Sequence, residues 1–255
     1  MFQTLRRDLW WLEPAAVFAG LVAFIIYSTW AVFQNANYTF GPYISPFYAP
    51  EIFGASHHAL FGPQPTWWPS WLRFSPGLFI VWVPGLFRFT CYYFRGAYYK
   101  AFWADPISCA VTEPRKKFLG ENSLPLILQN SHRYFMYLAV IFIGFHCYDT
   151  FHAFSFVNPS TDAKEFGVGI GTLVLVVDVV LLSCYVFGCH SLRHLIGGVL
   201  DIFSKSPARA KAYECSSCLN RLHAFWAWIS LVWVGFSDVY IRLCASGVWT
   251  DWRIF

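Results

Sequence analysis

The chain has 255 residues and a formal net charge of +4, with 57% hydrophobic and only 13% charged residues and a mean hydropathy of +0.44. A soluble domain carries about a quarter charged residues, so an ordinary soluble protein is excluded. The cations flank apolar runs rather than building a compact basic fold, which excludes nucleic-acid binding and suits anionic lipid.

Apolar runs of about 20 residues are long enough to cross a bilayer as helices. They predict an all-α integral membrane protein, a bundle of five transmembrane helices at about 15–33, 76–98, 133–154, 167–189 and 222–244. The segment before the first run lacks a small-residue cleavage site, so that helix is expected to stay in the mature protein. The 34–75 connection is rich in Pro, Gly, Tyr and Trp, a composition suited to headgroup depth; it is expected to cap one mouth of the bundle. The 99–132 connection is aromatic and holds Cys109, and the 190–221 connection is basic. No internal repeat divides residues 1–255, so one domain is expected.

Cations set the orientation. Arg6, Arg7, Arg95, Lys100, Arg115, Lys116, Lys117, Arg133, Arg193, Lys205, Arg209, Lys211 and Arg221 fall on one side. Arg73, Lys164, Arg242 and Arg253 fall on the other. The N-terminus is therefore expected inside and the C-terminus outside.

Eight cysteines and eight histidines are unevenly spread. Cys91, Cys109, His132, Cys184, Cys189, His190, His194, Cys215, Cys218 and His223 map near the inner side, where thiols stay reduced or bind metal. Cys147, Cys184 and Cys244, within apolar spans, read as small hydrophobes. His57 and His58 read as decoration of the outer loop. The Cys-Ser-Ser-Cys at 215–218 supplies two ligands where a closed site needs four.

The stretch FGCHSLRHLIGG puts His190 and His194 four apart, on one face of a helix. With Cys91 at the end of the second span and Cys109 on the loop beyond, they make two thiols and two imidazoles, the ligand set of a Rieske centre. The spacing of soluble Rieske domains is absent, so such a site must draw on separate helices. Cys189 and His132 are the reserve ligands. Two other readings stay open: histidines bonded to lipid phosphate or a partner protein, and a zinc or copper site in a transporter or assembly protein. A haem b joining His132 to His190 or His194 would leave the cysteines without a role, and the first two spans hold no histidine for a second haem.

Ionisable groups inside spans are costly and usually paired or functional. Arg88 and Asp178 are expected to pair across the second and fourth spans. Asp238 and His146 have no evident cationic partner and are candidates for a proton relay.

The segments TCYYFRGAYYKAFWADPISCAVTEPRKKFLGENSLPLILQNSHRYF, FGCHSLRHLIGG and WVGFSDVYIRLCASGVWTDWR resemble the membrane-anchor subunit of succinate:quinone oxidoreductase, in the branch found in actinobacteria. The resemblance spans about residues 76–255. It implies a succinate-oxidising flavoprotein subunit and an iron–sulfur subunit docked on the inner face of a bacterial plasma membrane. It also implies a membrane-embedded [2Fe–2S] Rieske-type cluster in place of haem, and a pocket for menaquinone or ubiquinone. The chain would then relay electrons and carry no dicarboxylate chemistry. The inner aromatics Tyr98, Trp103 and Tyr134 are expected to surround the quinone, with His132 and Arg133 bonding a carbonyl.

Overall fold

The computed structural model describes residues 3–114, 122–124, 126–158, 160–198 and 201–255. Arg115, Lys116 and Lys117, used above for orientation, lie outside the described residues. Among the described residues, four segments are long and apolar enough to cross a membrane: Leu12–Gln34, Leu126–His152, Ile170–Phe187 and His223–Ala245. They comprise α1 (Leu12–Gln34), α4 (His132–His152, entered through a 3-10 turn at Leu126–Ser131), α5 (Ile170–Phe187) and α8 (His223–Ala245). Each matches an expected span to within a few residues.

The second expected span is not one helix. It runs as a 3-10 turn at Pro76–Phe79, then α2 (Trp82–Phe89), α3 (Tyr92–Ala97) and a π-helical turn at Tyr98–Trp103. The break between α2 and α3 has a local cause. Thr90 Oγ1 donates back to the Leu86 carbonyl at 2.7 Å, one of the last carbonyls of α2, and such back-bonding competes with helix continuation. Cys91 then turns extended, with φ −66° and ψ 129°, and starts α3.

The connections hold more structure than expected. Residues 190–221 contain α6 (His190–Gly197) and α7 (Pro207–Arg221). Ser216 Oγ donates to the Phe187 carbonyl at 2.9 Å and Asn220 Nδ2 to that of Gly188 at 2.7 Å, so α7 satisfies carbonyls that the end of α5 leaves open. Among the described residues, two short antiparallel strand pairs interrupt the all-helical pattern, β1 (Thr39–Phe40) with β2 (Tyr43–Ile44) and β3 (Ser155–Val157) with β4 (Lys164–Phe166).

Helix α8 is central and packs most extensively on α5. Small buried residues on it, Ala227, Ser230 and Ser237, permit the close approach that apolar solvent does not itself drive. Phe87, Cys91, Phe94, Met136, Tyr185 and Cys189 share one core cluster, at the end of the bundle where α4 and α8 begin.

The expected pairings of charge change. Asp238 does have a cation: Arg242 Nε lies 2.6 Å from its Oδ2. The two are four residues apart on α8 and so face each other, a spacing hidden when Arg242 is counted only as an outer-side cation. Tyr27 donates to the same carboxylate at 2.6 Å, Ser45 Oγ also bonds it, and Arg242 donates to the Ala31 and Ala36 carbonyls. This network ties α8 to the end of α1 and to the 34–75 connection. Arg88 forms no ion pair with Asp178: it donates to the Ala227 carbonyl at 2.8 Å and to Ser230 Oγ at 2.9 Å.

Candidate functional site

A cavity of about 330 Å3 lies where four chain segments start or break. Cys91 enters it from the α2–α3 break, His132 from the first residue of α4, Cys189 from the α5–α6 break and His223 from the first residue of α8. His132 Nε2 lies 3.2 Å from Cys189 Sγ, and His223 Nε2 lies 3.7 Å from Cys91 Sγ. Cys91, Cys189 and His223 are buried.

The two cysteines are placed alike. Cys189, with φ −64° and ψ 133°, repeats the extended conformation of Cys91. Each stands as an N-cap, Cys91 of α3 and Cys189 of α6, and each lines the cavity.

The histidines are oriented from behind. Thr90 Oγ1 lies 2.9 Å from His132 Nδ1. Its own proton is already donated to Leu86, so it accepts from Nδ1–H. That leaves Nε2 unprotonated toward the cavity, the arrangement of a metal-binding imidazole held by an outer partner. The His223 Nδ1 is buried with no hydrogen-bond partner among the described residues. Two soft thiols, two imidazoles and an orphaned ring nitrogen fit a mixed Cys/His iron–sulfur group. Among the described residues no three ligating side chains converge on a point suited to one metal ion.

A second pocket, of about 360 Å3 and almost wholly apolar, lies beside the first. Its polar lining includes Arg88, Tyr98 and His146. Two rings separate the spaces. Phe87 stacks on His132 at 4.9 Å between ring centroids, and Tyr185 stacks on His223 at 5.0 Å. Both also line the apolar pocket, so the partition is one aromatic layer thick.

Residues 12–247 match the family described as actinobacterial succinate dehydrogenase subunit SdhC. The chain belongs to that family. It is also similar to a chain of the Mycobacterium smegmatis Sdh1 complex in the apo form, with 41% identity and a TM-score of 0.88 over 99% of this chain and 94% of that one. No curated protein matches it.

The SdhC fold gathers some of the expected residues and separates others. Cys91, Cys189, His132 and His190 reach the thiol–imidazole cavity. Cys109 does not: it is exposed, and its carbonyl accepts from Arg6 Nη1 at 2.9 Å. His194 does not line it either; its Nε2 meets His190 Nε2 at 3.0 Å on exposed α6. Burial first, then His194 and Arg193, holds His190 below the usual imidazole range. Tyr98 and Trp103 line the apolar pocket, whereas Arg133 and Tyr134 are exposed. As the SdhC subunit of succinate dehydrogenase, the chain is part of an oxidoreductase and is its membrane component. The cavity residue that sequence reasoning left among the inner histidines, with no role, is His223.

Proposed function

We propose that this chain anchors a succinate:quinone oxidoreductase in the bacterial plasma membrane and relays electrons from a docked iron–sulfur subunit, itself paired with a flavoprotein, to membrane quinone. The carrying observation is the cavity with two buried thiols and two imidazoles drawn from four segment ends. Cys91, Cys189, His132 and His223 would hold a [2Fe–2S] group, which supplies one-electron chemistry when bound. Two neutral imidazoles leave less net negative charge than four thiolates would, and this raises the potential toward that of quinone.

The protein's own residues do the rest. Thr90 fixes the His132 ring and tautomer. Phe87 and Tyr185 keep the two spaces apart and dry, and hold the quinone pocket within one ring of the imidazoles. Arg88, anchored by Ala227 and Ser230, keeps further N–H groups for an oxygen atom in that pocket. His190, at the cavity rim, and α6 and α7 supply the face on which the iron–sulfur subunit docks. The broken α2–α3 segment serves as a fifth crossing, which puts the N-terminus on the docking side. This orientation agrees with the cation asymmetry.

A haem would leave the two N-cap thiols without a partner, so the cluster is the better reading. Iron and acid-labile sulfide analysis of the purified complex, with low-temperature electron paramagnetic resonance, tests it: a Rieske-type signal lost in His132→Ala and His223→Ala is expected. A full signal in both variants overturns the assignment.

A further inference from the structure

We propose that protons reach the apolar pocket from the face of the bundle opposite the thiol–imidazole cavity, by way of His146, Asp149 and His58. The inference rests on the reading of that pocket as the quinone site. Reduction of a quinone to a quinol consumes two electrons and two protons at its oxygens. Succinate oxidation elsewhere in the complex supplies the electrons, and the protons need a path through a mostly apolar wall.

His146 lines the pocket and makes no hydrogen bond within the described residues. Asp149 follows three positions later on α4, so the two side chains are neighbours on one helix face. Asp149 Oδ1 lies 3.9 Å from His58 Nδ1, with side-chain exposures of 13% and 6%. His58 Nε2 is buried and unbonded among the described residues. A pair kept only to pin the loop would be expected to close to hydrogen-bond distance; this one stands open by about 1 Å and has an unbonded nitrogen.

The groups around the pair continue the path. Glu51, 2% exposed, faces Asp149 electrostatically and accepts from Tyr38 at 2.9 Å and from Ser56. The His57 ring lies 4.0 Å from that of His58 and is exposed to solvent. His152, the last residue of α4, also acts on His58. Burial, then His57 and His152, lowers the His58 pKa to about 4. The ring is thus neutral at ordinary pH, and it passes a proton on instead of holding it. His57 and His152 offer water-side entry, and His146 the exit into the pocket.

The test uses the whole complex in proteoliposomes loaded with a pH dye and containing membrane quinone. Succinate added outside engages only complexes whose docking face points outward. The lumen is expected to turn alkaline during turnover. Asp149→Asn should abolish this alkalinisation and slow quinol formation on the order of a hundredfold, with cluster reduction in a single turnover unchanged; Asp149→Glu should restore both. A wild-type lumen that stays at constant pH, or an Asp149→Asn lumen that still turns alkaline, overturns the route. Ala139→Trp, which fills the pocket, separates the two ideas. If it leaves quinone reduction intact, the pocket reading fails and the route with it. If it blocks reduction while Asp149→Asn keeps the alkalinisation, only the route fails.

Discussion

Cys91 and Cys189 occupy the same backbone conformation at two helix breaks and present their thiols to one cavity. The equivalence predicts equal consequences. Cys91→Ser and Cys189→Ser should each lose the iron–sulfur signal, because serine is a poor ligand for this soft site. Cys109→Ser and His194→Ala should keep it, since neither side chain lines the cavity. Electron paramagnetic resonance and iron content on the four purified complexes check this; loss of signal in Cys109→Ser would restore the loop cysteine as a ligand.

The membrane character, the span positions and part of the site are legible in the sequence because apolar runs and cation bias act locally. The ligand set is less so. His190 and His194 have the spacing of converging ligands, yet they converge on each other at 3.0 Å. The cavity instead joins residues from positions 91, 132, 189 and 223, and linear spacing does not say which segment ends meet. A signal does exist. Cys91-Tyr-Tyr-Phe-Arg95 and Cys189-His-Ser-Leu-Arg193 share a Cys-x-x-apolar-Arg pattern, and in each the cysteine carbonyl accepts from the N–H of the arginine four residues on. The helix break at Thr90 was hidden for a different reason: back-bonding by one threonine decides it, inside a run whose hydropathy stays high.

Ala139 is buried in α4 and lines the apolar pocket. Ala139→Trp should remove most quinone reduction while succinate still reduces the cluster. Succinate oxidation assayed with a water-soluble acceptor, compared with oxidation assayed with quinone, measures the split; equal loss in both would mean a general packing defect.

Asp238 and Arg242 form a buried pair with further bonds to Tyr27, Ser45 and two α1-end carbonyls. Removing one partner strands a buried charge, at a cost of about 3–5 kcal/mol. Asp238→Asn should therefore lower the thermal stability of the complex markedly, with turnover per folded complex nearly unchanged. Wild-type stability with slow quinone turnover would instead give Asp238 a proton-relay role.

His58 sets a pH dependence of stability. Its pKa falls to about 4 in the folded chain, below the unfolded value of about 6.5, so the unfolded state takes up the proton first. Its contribution is complete above about pH 6.5 and is lost as pH falls from there toward 4. His58→Gln should flatten the melting temperature over that window relative to wild type, as read by thermal scans of the detergent-solubilised complex. An unchanged slope would show that other groups carry the acid sensitivity.

Gly188 sits directly behind His223. A Cβ there would lie 2.7 Å from the Cys184 carbonyl oxygen, 3.1 Å from Leu219 Cβ and 3.2 Å from His223 Nδ1. Its φ of −80° is open to any residue, so space and not backbone conformation selects glycine. The Cys184 carbonyl is fixed in α5 and α7 is held by Asn220, which leaves the His223 ring as the softest neighbour. Gly188→Ala should thus cost about 1–3 kcal/mol of overpacking and push the imidazole out of register with Cys91. The expected result is a shifted or diminished iron–sulfur signal at a protein yield near that of wild type. Gly144→Ala on α4 is the control, because a Cβ there meets nothing within 4 Å and alanine favours the helix. A Gly188→Ala complex with an unaltered signal would mean that α7 yields and His223 does not.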